Sequence, residues 1–169
     1  MRRAEQVRYL ILAAQREGNR TLTALLSPIS LTPAQSEALR IIVDHGPLTL
    51  KEIGDMLVCD SGTNPSRIVD RLADGGLVER SAGESDRRTI RLTATSLGRE
   101  KADQVREIEE RVYAAIDSAL DPQAVETLIR ALRLLAHGSA AGAALDNRIA
   151  AQLTHAGDEP NRSRIGATE

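Results

Sequence analysis

Residues 49 to 95 contain a change of hydrophobic period that restricts the fold more than any other feature of this chain. The first half carries apolar residues at helical spacing in two short segments, and the second half alternates apolar and polar residues as strands do. Thr49 and Glu52 form a capping-box pair that opens the first helix, which we expect to run to Val58. Its predicted buried face consists of Leu50, Ile53 and Leu57.

The second helical segment follows a polar run at positions 60–64 and ends at Gly75-Gly76. Two starts fit the sequence. Asn64 can cap a helix that begins at Pro65, or the helix can begin nearer Ser61, because a first turn tolerates proline. Two short helices joined by a polar turn form a helix-turn-helix, whose second helix is presented to the DNA major groove. The residues expected to pack in the core are Ile68, Val69 and Leu72.

A β-hairpin is predicted directly after this helix. Residues 77–82 and 88–93 are short enough for strands, and the second run alternates, so we expect Ile90 and Leu92 to face inward. A hairpin in this place is a wing, which is a ribbon that reaches a neighbouring groove or phosphate run. Its loop ends in two arginines, whose guanidinium groups stay charged and fork onto phosphate. Arg87 or Arg88 would make the wing contact, and Asp86 would orient an arginine.

Three motifs in this region are those of a known family. They are Ile68-Val69-Asp70-Arg71-Leu72 with Gly76-Leu77-Val78, then Asp86-Arg87-Arg88, then Ala94-Thr95-Ser96-Leu97-Gly98. On these motifs the run from Leu31 to Gly98 resembles the MarR family of bacterial winged-helix transcription regulators, and the spacing fits without a gap. One departure is Ala94, where the family usually has Leu; it suggests looser packing there.

The segments on either side of this region predict further helices, because their apolar residues recur every three or four positions. Thr32, Thr95 and Asp121 stand where helix N-caps are expected. The predicted helices cover residues 2–26, from Pro33 to about 45, from Ser96 to about 120 and from Pro122 to about 137.

The helices at the two ends of the chain have apolar faces that need a partner. With Tyr9 and Tyr113 as its only aromatic residues, the chain has few large side chains to complete a core around these helices. We therefore expect burial against a second copy, and the alternative is a monomeric bundle.

The predicted fold is mainly α (α+β), a winged helix-turn-helix with terminal dimerisation helices. We divide the chain into an N-terminal dimerisation helix, a winged helix-turn-helix DNA-binding domain, C-terminal dimerisation helices and a tail with a short helix followed by disorder. The apolar face of the short helix would consist of Leu145, Ile149 and Leu153. The four divisions are residues 1–30, 31–95, 96–137 and 138–169.

Composition excludes several other functions. A net charge of −2 argues against indiscriminate coating of nucleic acid. A single cysteine, Cys59, excludes an internal disulfide or a thiolate metal cluster, and the three histidines lack metal-ligand spacing, so we predict no metal and no cofactor. No apolar run could cross a bilayer, which predicts a cytoplasmic protein without a membrane partner. No catalytic pattern stands in a plausible context, so we predict that the chain is not an enzyme.

The predicted function is sequence-specific binding of double-stranded DNA by a homodimer at a pseudo-palindromic operator. Arg67 and Arg71 could instead pair within their helix with Asp70 or Asp74. The alternative function is a winged-helix protein-interaction module that does not bind DNA. The predicted DNA-binding residues are Ser61, Thr63, Asn64, Ser66, Arg67, Arg71, Arg87 and Arg88.

The MarR resemblance also implies a regulatory ligand. Such proteins commonly respond to small aromatic effectors bound where the dimer helices meet the winged domain, and repression is their usual role. Cys59 has two interpretations, a small packed side chain or an oxidant sensor that pairs between molecules. The residues that the resemblance places near the effector are Tyr9, Leu12, Arg16, Ile42 and His45.

Overall fold

The computed structural model describes residues 1–59, 64–83 and 88–157, with side chains as far as residue 154. Of the predicted site residues, Ser61, Thr63, Asp86 and Arg87 lie outside the described residues. The segment 158–169, for which we predicted disorder, also lies outside them.

Seven α-helices and one antiparallel two-stranded sheet make up the described ranges, which confirms the predicted mainly α, winged helix-turn-helix fold. A short 3-10 helix, Ser27–Ile29, ends the first α-helix. The elements are α1 (Arg3–Leu26), α2 (Pro33–His45), α3 (Leu50–Gly54), α4 (Pro65–Asp74), β1 (Val78–Ala82), β2 (Ile90–Ala94), α5 (Ser96–Ala119), α6 (Pro122–Ala136) and α7 (Ala140–Gly157).

Side-chain caps explain where most of these helices begin. The Thr32 and Thr49 hydroxyls each accept a backbone N–H three residues ahead at 3.2 Å, which opens α2 and α3. Thr95 does the same for α5 at 3.0 Å, and Asp121 for α6 at 2.8 Å. Each cap satisfies an N–H that has no partner inside its helix, so the predicted starts of these four helices are confirmed.

Helix α2 lies at the centre of the winged part of the chain. It packs against α1, α3, α4, α5, α7 and β2, and Leu39, Ile41 and Ile42 on it are almost completely buried. From α4, Ile68, Val69 and Leu72 enter the same core, as the sequence predicted. Burial of each such side chain contributes about 1.5–3 kcal/mol.

Two apolar side chains differ from their predicted positions. Leu50 is 40% exposed and Ile90 is 58% exposed. Leu50 begins a helix of five residues that ends at Gly54 instead of Val58, so it lies at the edge of the core. Ile90 pairs with Ala82 at the outer end of the hairpin, beyond the helices that bury Leu92. The prediction that both face the core was wrong.

Helices α1 and α6 contribute little to the core of a single chain. Both lie wholly within the described residues, and their only buried side chain is Leu26 at the end of α1. In α5, the buried residues lie between Gly98 and Ile108, and the rest of the helix is exposed apart from Glu109 and Val112, which are half-buried. Within the described ranges, no helix has both the length and the apolar character needed to span a bilayer.

Helix α7 folds back onto the winged part of the chain. It has 18 residues, so it is longer than the short helix that we predicted. This helix meets α2 and the end of α3 at Asp55. Of the predicted face, Leu145 and Leu153 are exposed and Ile149 is half-buried, so that face meets the chain only in part. The α7 residues that contact the winged part of the chain are small or polar, and they are Ala144, Asn147, Arg148 and Ala151.

Gly98 lies where the start of α5 crosses the exit of α4. A Cβ atom at this position would lie 2.0 Å from the carbonyl oxygen of Leu77. Thr95 holds the two segments together, because its N–H donates to Leu77 at 3.0 Å and its hydroxyl donates to the Gly76 carbonyl at 2.7 Å. This close backbone approach requires glycine at the end of the third family motif.

We expect Gly98→Ala to lower the free energy of unfolding by about 3 kcal/mol, because the backbone at Leu77 cannot move away without breaking the Thr95 contacts. Urea denaturation followed by circular dichroism at fixed protein concentration measures this free energy of unfolding. Gly18→Ala is the matched control, since no atom lies within 4 Å of the added methyl group. It should stabilise α1 by about 0.8–1 kcal/mol. Equal midpoints for the two variants would contradict the proposed clash.

Candidate nucleic-acid interface

The start of helix α4 is decided by Asn64. Its side-chain oxygen accepts the N–H of Ser66 at 3.0 Å, and Pro65 occupies the first helical position. The helix therefore begins at Pro65, which is the first of the two starts that the sequence allowed. Because the side-chain oxygen acts as the cap, only the amide NH2 group of Asn64 remains available for an external acceptor.

Arg67 and Arg71 lie one helical turn apart on the exposed side of α4. Neither forms an ion pair with any side chain in the described ranges. The intrahelical pairing that we considered is not formed, because Asp70 pairs instead with Arg80 of strand β1. Two guanidinium groups on one face of a helix can contact phosphate oxygens or the edge of guanine.

Ser66 lies on a different side of α4 from these arginines. It is half-buried and lines a cleft of about 250 Å³ between α4 and the hairpin. Its direct surroundings are therefore the wing and not the outer surface of the helix. The other residues of this cleft are Leu50, Val69, Asp70, Arg80, Ile90 and Leu92.

Two ion pairs attach the hairpin to the helices behind it. Arg80 of β1 pairs with Asp70 of α4, and Arg91 of β2 pairs with Glu52 of α3 at 3.0 Å. Sequence reasoning missed both pairs, because the partners lie 10 and 39 positions apart and no local pattern relates them. Of the predicted wing arginines, Arg88 is described and is exposed beside the hairpin.

Glu37 is a further residue that the sequence analysis missed. It is buried in α2, and its two carboxylate oxygens accept the N–H groups of Val58 and Cys59 at 2.9 and 2.8 Å. These residues follow α3 on the way to the recognition helix. The only sequence signal was an acidic residue among apolar ones in α2, and a charged side chain in that setting needs partners.

The thiol of Cys59 lies in surroundings that oppose its ionisation. Although the residue is exposed at the surface, desolvation of the thiol is the larger cause and the charge of Glu37 the next, and together they raise the pKa of Cys59 to about 11 from an ordinary value near 9. The thiolate is the form that reacts with alkylating agents and oxidants. A raised pKa therefore argues for a slowly reacting thiol and against an oxidant sensor.

We expect iodoacetamide to modify Cys59 in the folded protein roughly 100-fold more slowly at pH 8 than in the urea-unfolded chain, because the pKa is higher by about two units. Below pH 10 the folded-state rate should rise about tenfold per pH unit, since the thiolate fraction does so below the pKa. Mass spectrometry of quenched samples measures both. Equal rates in the folded and unfolded chain at pH 8 would show that the thiol is not shielded.

Half-buried ion pairs join α2 to α5 behind this interface. Arg40 pairs with Asp44 at 3.1 Å and also with Glu109, while Arg106 pairs with Asp44. Burial raises the pKa of Glu109, and the nearby Arg40 partly opposes that shift. This network fixes the long helix to the winged part of the chain.

The residues proposed for an effector site differ in their exposure within a single chain. Tyr9, Leu12 and Arg16 are exposed on α1, whereas Ile42 is buried in the core and His45 is half-buried at the end of α2. A pocket that includes the α1 residues would need another surface to cover them.

Comparison with known proteins agrees with this geometry. A family model described as the MarR family matches residues 31–90. The organic hydroperoxide resistance transcriptional regulator of Bacillus subtilis is 32% identical over 98 residues, which are 58% of this chain and 66% of that protein. The uncharacterized HTH-type transcriptional regulator YwhA of the same organism is 30% identical over 99 residues, which are 58% of this chain and 70% of that protein.

A solved structure extends the similarity to most of the described helices. The crystal structure of a mutant MarR from E. coli complexed with operator DNA has a TM-score of 0.68 and 27% identity, and the match covers 77% of this chain and 93% of that one. The alignments to the two curated relatives span about two thirds of their lengths. The family model thus lies within the winged region, and the similar structures include one with operator DNA.

Proposed function

The chain belongs to the MarR family of transcription regulators, and from this premise we propose that it is a homodimer that binds a pseudo-palindromic operator. The observation that carries the proposal is the outer face of α4. Arg67 and Arg71 are exposed there and have no ion-pair partner in the described part of the chain. Asp70, between them, is held by Arg80 of the hairpin, so α4 and the wing form one unit.

We propose that α4 enters the major groove and that the hairpin reaches an adjacent phosphate run. Arg67 and Arg71 are about 6 Å apart along the helix axis, and each guanidinium can donate to guanine or to a phosphate. Asn64 donates through its free amide group, and Arg88 acts from the wing. Ser61, Thr63 and Arg87 remain proposed contacts from sequence, as does Asp86 as an orienting group.

Dimerisation is proposed because many apolar side chains of α1, the second half of α5 and α6 stay exposed within the described ranges. A regulator with a net charge of −2 also gains little affinity from bulk charge, so it depends on placing two recognition helices at once. The exposed apolar side chains that a second copy would cover include Leu10, Ile11, Tyr113, Ile116, Leu128 and Leu132.

We further propose that the dimer is a repressor that a small aromatic molecule releases from DNA. The site would lie between α1 and α2, with Tyr9, Leu12 and Arg16 covered by the second copy. Such a site fits the exposure of these side chains in a single chain. A DNA-bound regulator of this kind works where the chromosome is, which in bacteria is the cytoplasm.

The test is a DNase footprint of the purified protein on the DNA upstream of its own gene. We expect two protected half-sites with centres about one helical turn apart, related by a two-fold axis. A single unpaired protected site would contradict the dimeric arrangement. Absence of any footprint at concentrations that saturate random DNA would contradict specific binding and favour a protein-interaction role.

A further inference from the structure

Helix α7 is attached to the segment that links α3 to α4. The N–H groups at positions 55–57 still bond back to carbonyls of α3, whereas those of Val58 and Cys59 need acceptors from elsewhere. Glu37 supplies two of them, at Val58 and Cys59. Arg148 of α7 donates to the same Glu37 carboxylate at 2.9 Å. The C-terminal helix and the entry to the recognition helix therefore share one buried acceptor.

We propose that Glu37 and Arg148 are positioning residues for DNA recognition, and that through them α7 sets the placement of α4. This inference rests on the proposed function, because it concerns how accurately the recognition helix is held. Neither residue needs to touch DNA in this arrangement.

The charges explain why Arg148 is required. The side chains of Glu37 and Arg148 are 8% and 22% exposed, so both lie largely out of water. Each oxygen of the Glu37 carboxylate accepts one of the two N–H groups, and a buried charge is costly without a cationic partner. Arg148 supplies that partner and holds the carboxylate where it maintains both backbone contacts. Without Arg148, the carboxylate would turn toward water, and the contacts at Val58 and Cys59 would weaken.

A second contact attaches α7 to the beginning of the same link. The Asn147 side chain donates to the backbone carbonyl of Asp55 at 2.9 Å. Ala144 is buried, and Ala151 packs against the core one turn beyond Arg148. These residues recur at helical spacing, so one face of α7 contacts Asp55 directly and reaches Val58 and Cys59 through Glu37.

Contacts to base edges distinguish the operator from random DNA, whereas phosphate contacts carry no sequence information. A displaced recognition helix therefore loses mainly the base contacts. Loss of the Arg148 contact should therefore weaken operator binding while leaving binding to random DNA nearly unchanged. A residue that supports only overall stability would weaken both or neither. The ratio of specific to non-specific affinity is thus the quantity that distinguishes positioning from a general structural role.

The experiment compares Arg148→Ala with Arg133→Ala in the full chain. Arg133 also pairs with α7, through Asp146 at 3.5 Å, but that pair is exposed and does not touch Glu37. We expect Arg148→Ala to weaken operator binding by roughly tenfold, as loss of a charge-assisted hydrogen bond does. Amide hydrogen exchange at Val58 and Cys59 should become at least tenfold faster by the same reasoning. Arg133→Ala should change neither value, and Arg148→Lys should restore most of both.

Two results would overturn the inference. One is unchanged exchange at Val58 and Cys59 in Arg148→Ala, which would mean that the contact does not hold the link. The other is faster exchange with an unchanged ratio of operator to random-DNA affinity, which would assign the contact to stability alone. If the unmodified protein has no operator, the proposed function fails, whereas the exchange measurement still reports whether Arg148 holds the link.

Discussion

Leu132→Glu should convert the protein from a dimer to a monomer at micromolar concentration and abolish operator binding. Leu132 lies on α6. The structure describes this helix from end to end, and none of its residues is buried in the single chain. Both protomers of a two-fold dimer carry this side chain, so the substitution removes its burial twice, at about 1.5–3 kcal/mol each. The dimer dissociation constant should therefore rise by about 10²–10⁴-fold. Light scattering after size-exclusion chromatography measures the mass.

Leu97→Glu is the matched control for this prediction. Leu97 is 47% exposed and Leu132 is 40% exposed, so the two side chains present similar apolar surface in the single chain. Leu97 lies in the first turn of α5, beside the wing, and outside the proposed dimer surface. We expect this variant to stay dimeric. If both variants stay dimeric, or if the unmodified protein is a monomer, the terminal helices do not form the interface.

Replacement of both Arg67 and Arg71 with alanine should weaken operator binding by roughly a thousandfold, because the dimer loses four contacts worth about 1 kcal/mol or more each. Stability and dimerisation should not change, since both side chains are exposed and have no ion-pair partner in the part of the chain that the structure describes. Fluorescence anisotropy with a labelled operator measures the affinity, and its salt dependence should become less steep as phosphate contacts are lost.

The control removes the same charge elsewhere. Arg111→Ala with Arg130→Ala takes two exposed positive charges from α5 and α6, far from the recognition helix in the chain. If this variant stays dimeric by light scattering and still binds the operator as weakly as the Arg67 and Arg71 variant does, the effect is one of overall charge. Such a result would remove the argument that the outer face of α4 reads DNA.

The helix starts were predictable because they depend on residues a few positions apart. Thr32, Thr49, Thr95 and Asp121 each bond to an N–H three residues ahead, and the hydroxyl or carboxylate needed for this is visible in the sequence. The core face of α4 followed from helical spacing in the same way. The choice between two starts for α4 needed the structure, because proline is compatible with both.

The sequence by itself determined the order and type of the elements, and with them the winged helix-turn-helix fold, because capping and hydrophobic period act over a few residues. Tertiary structure alone decided which side chains the fold leaves at its edges, as with Leu50 and Ile90. It also decided which charges meet, as with Asp70 and Arg80, and with Glu37 and Arg148. Those partners lie 10 and 111 positions apart, and an ion pair depends on distance in space, which no local pattern records.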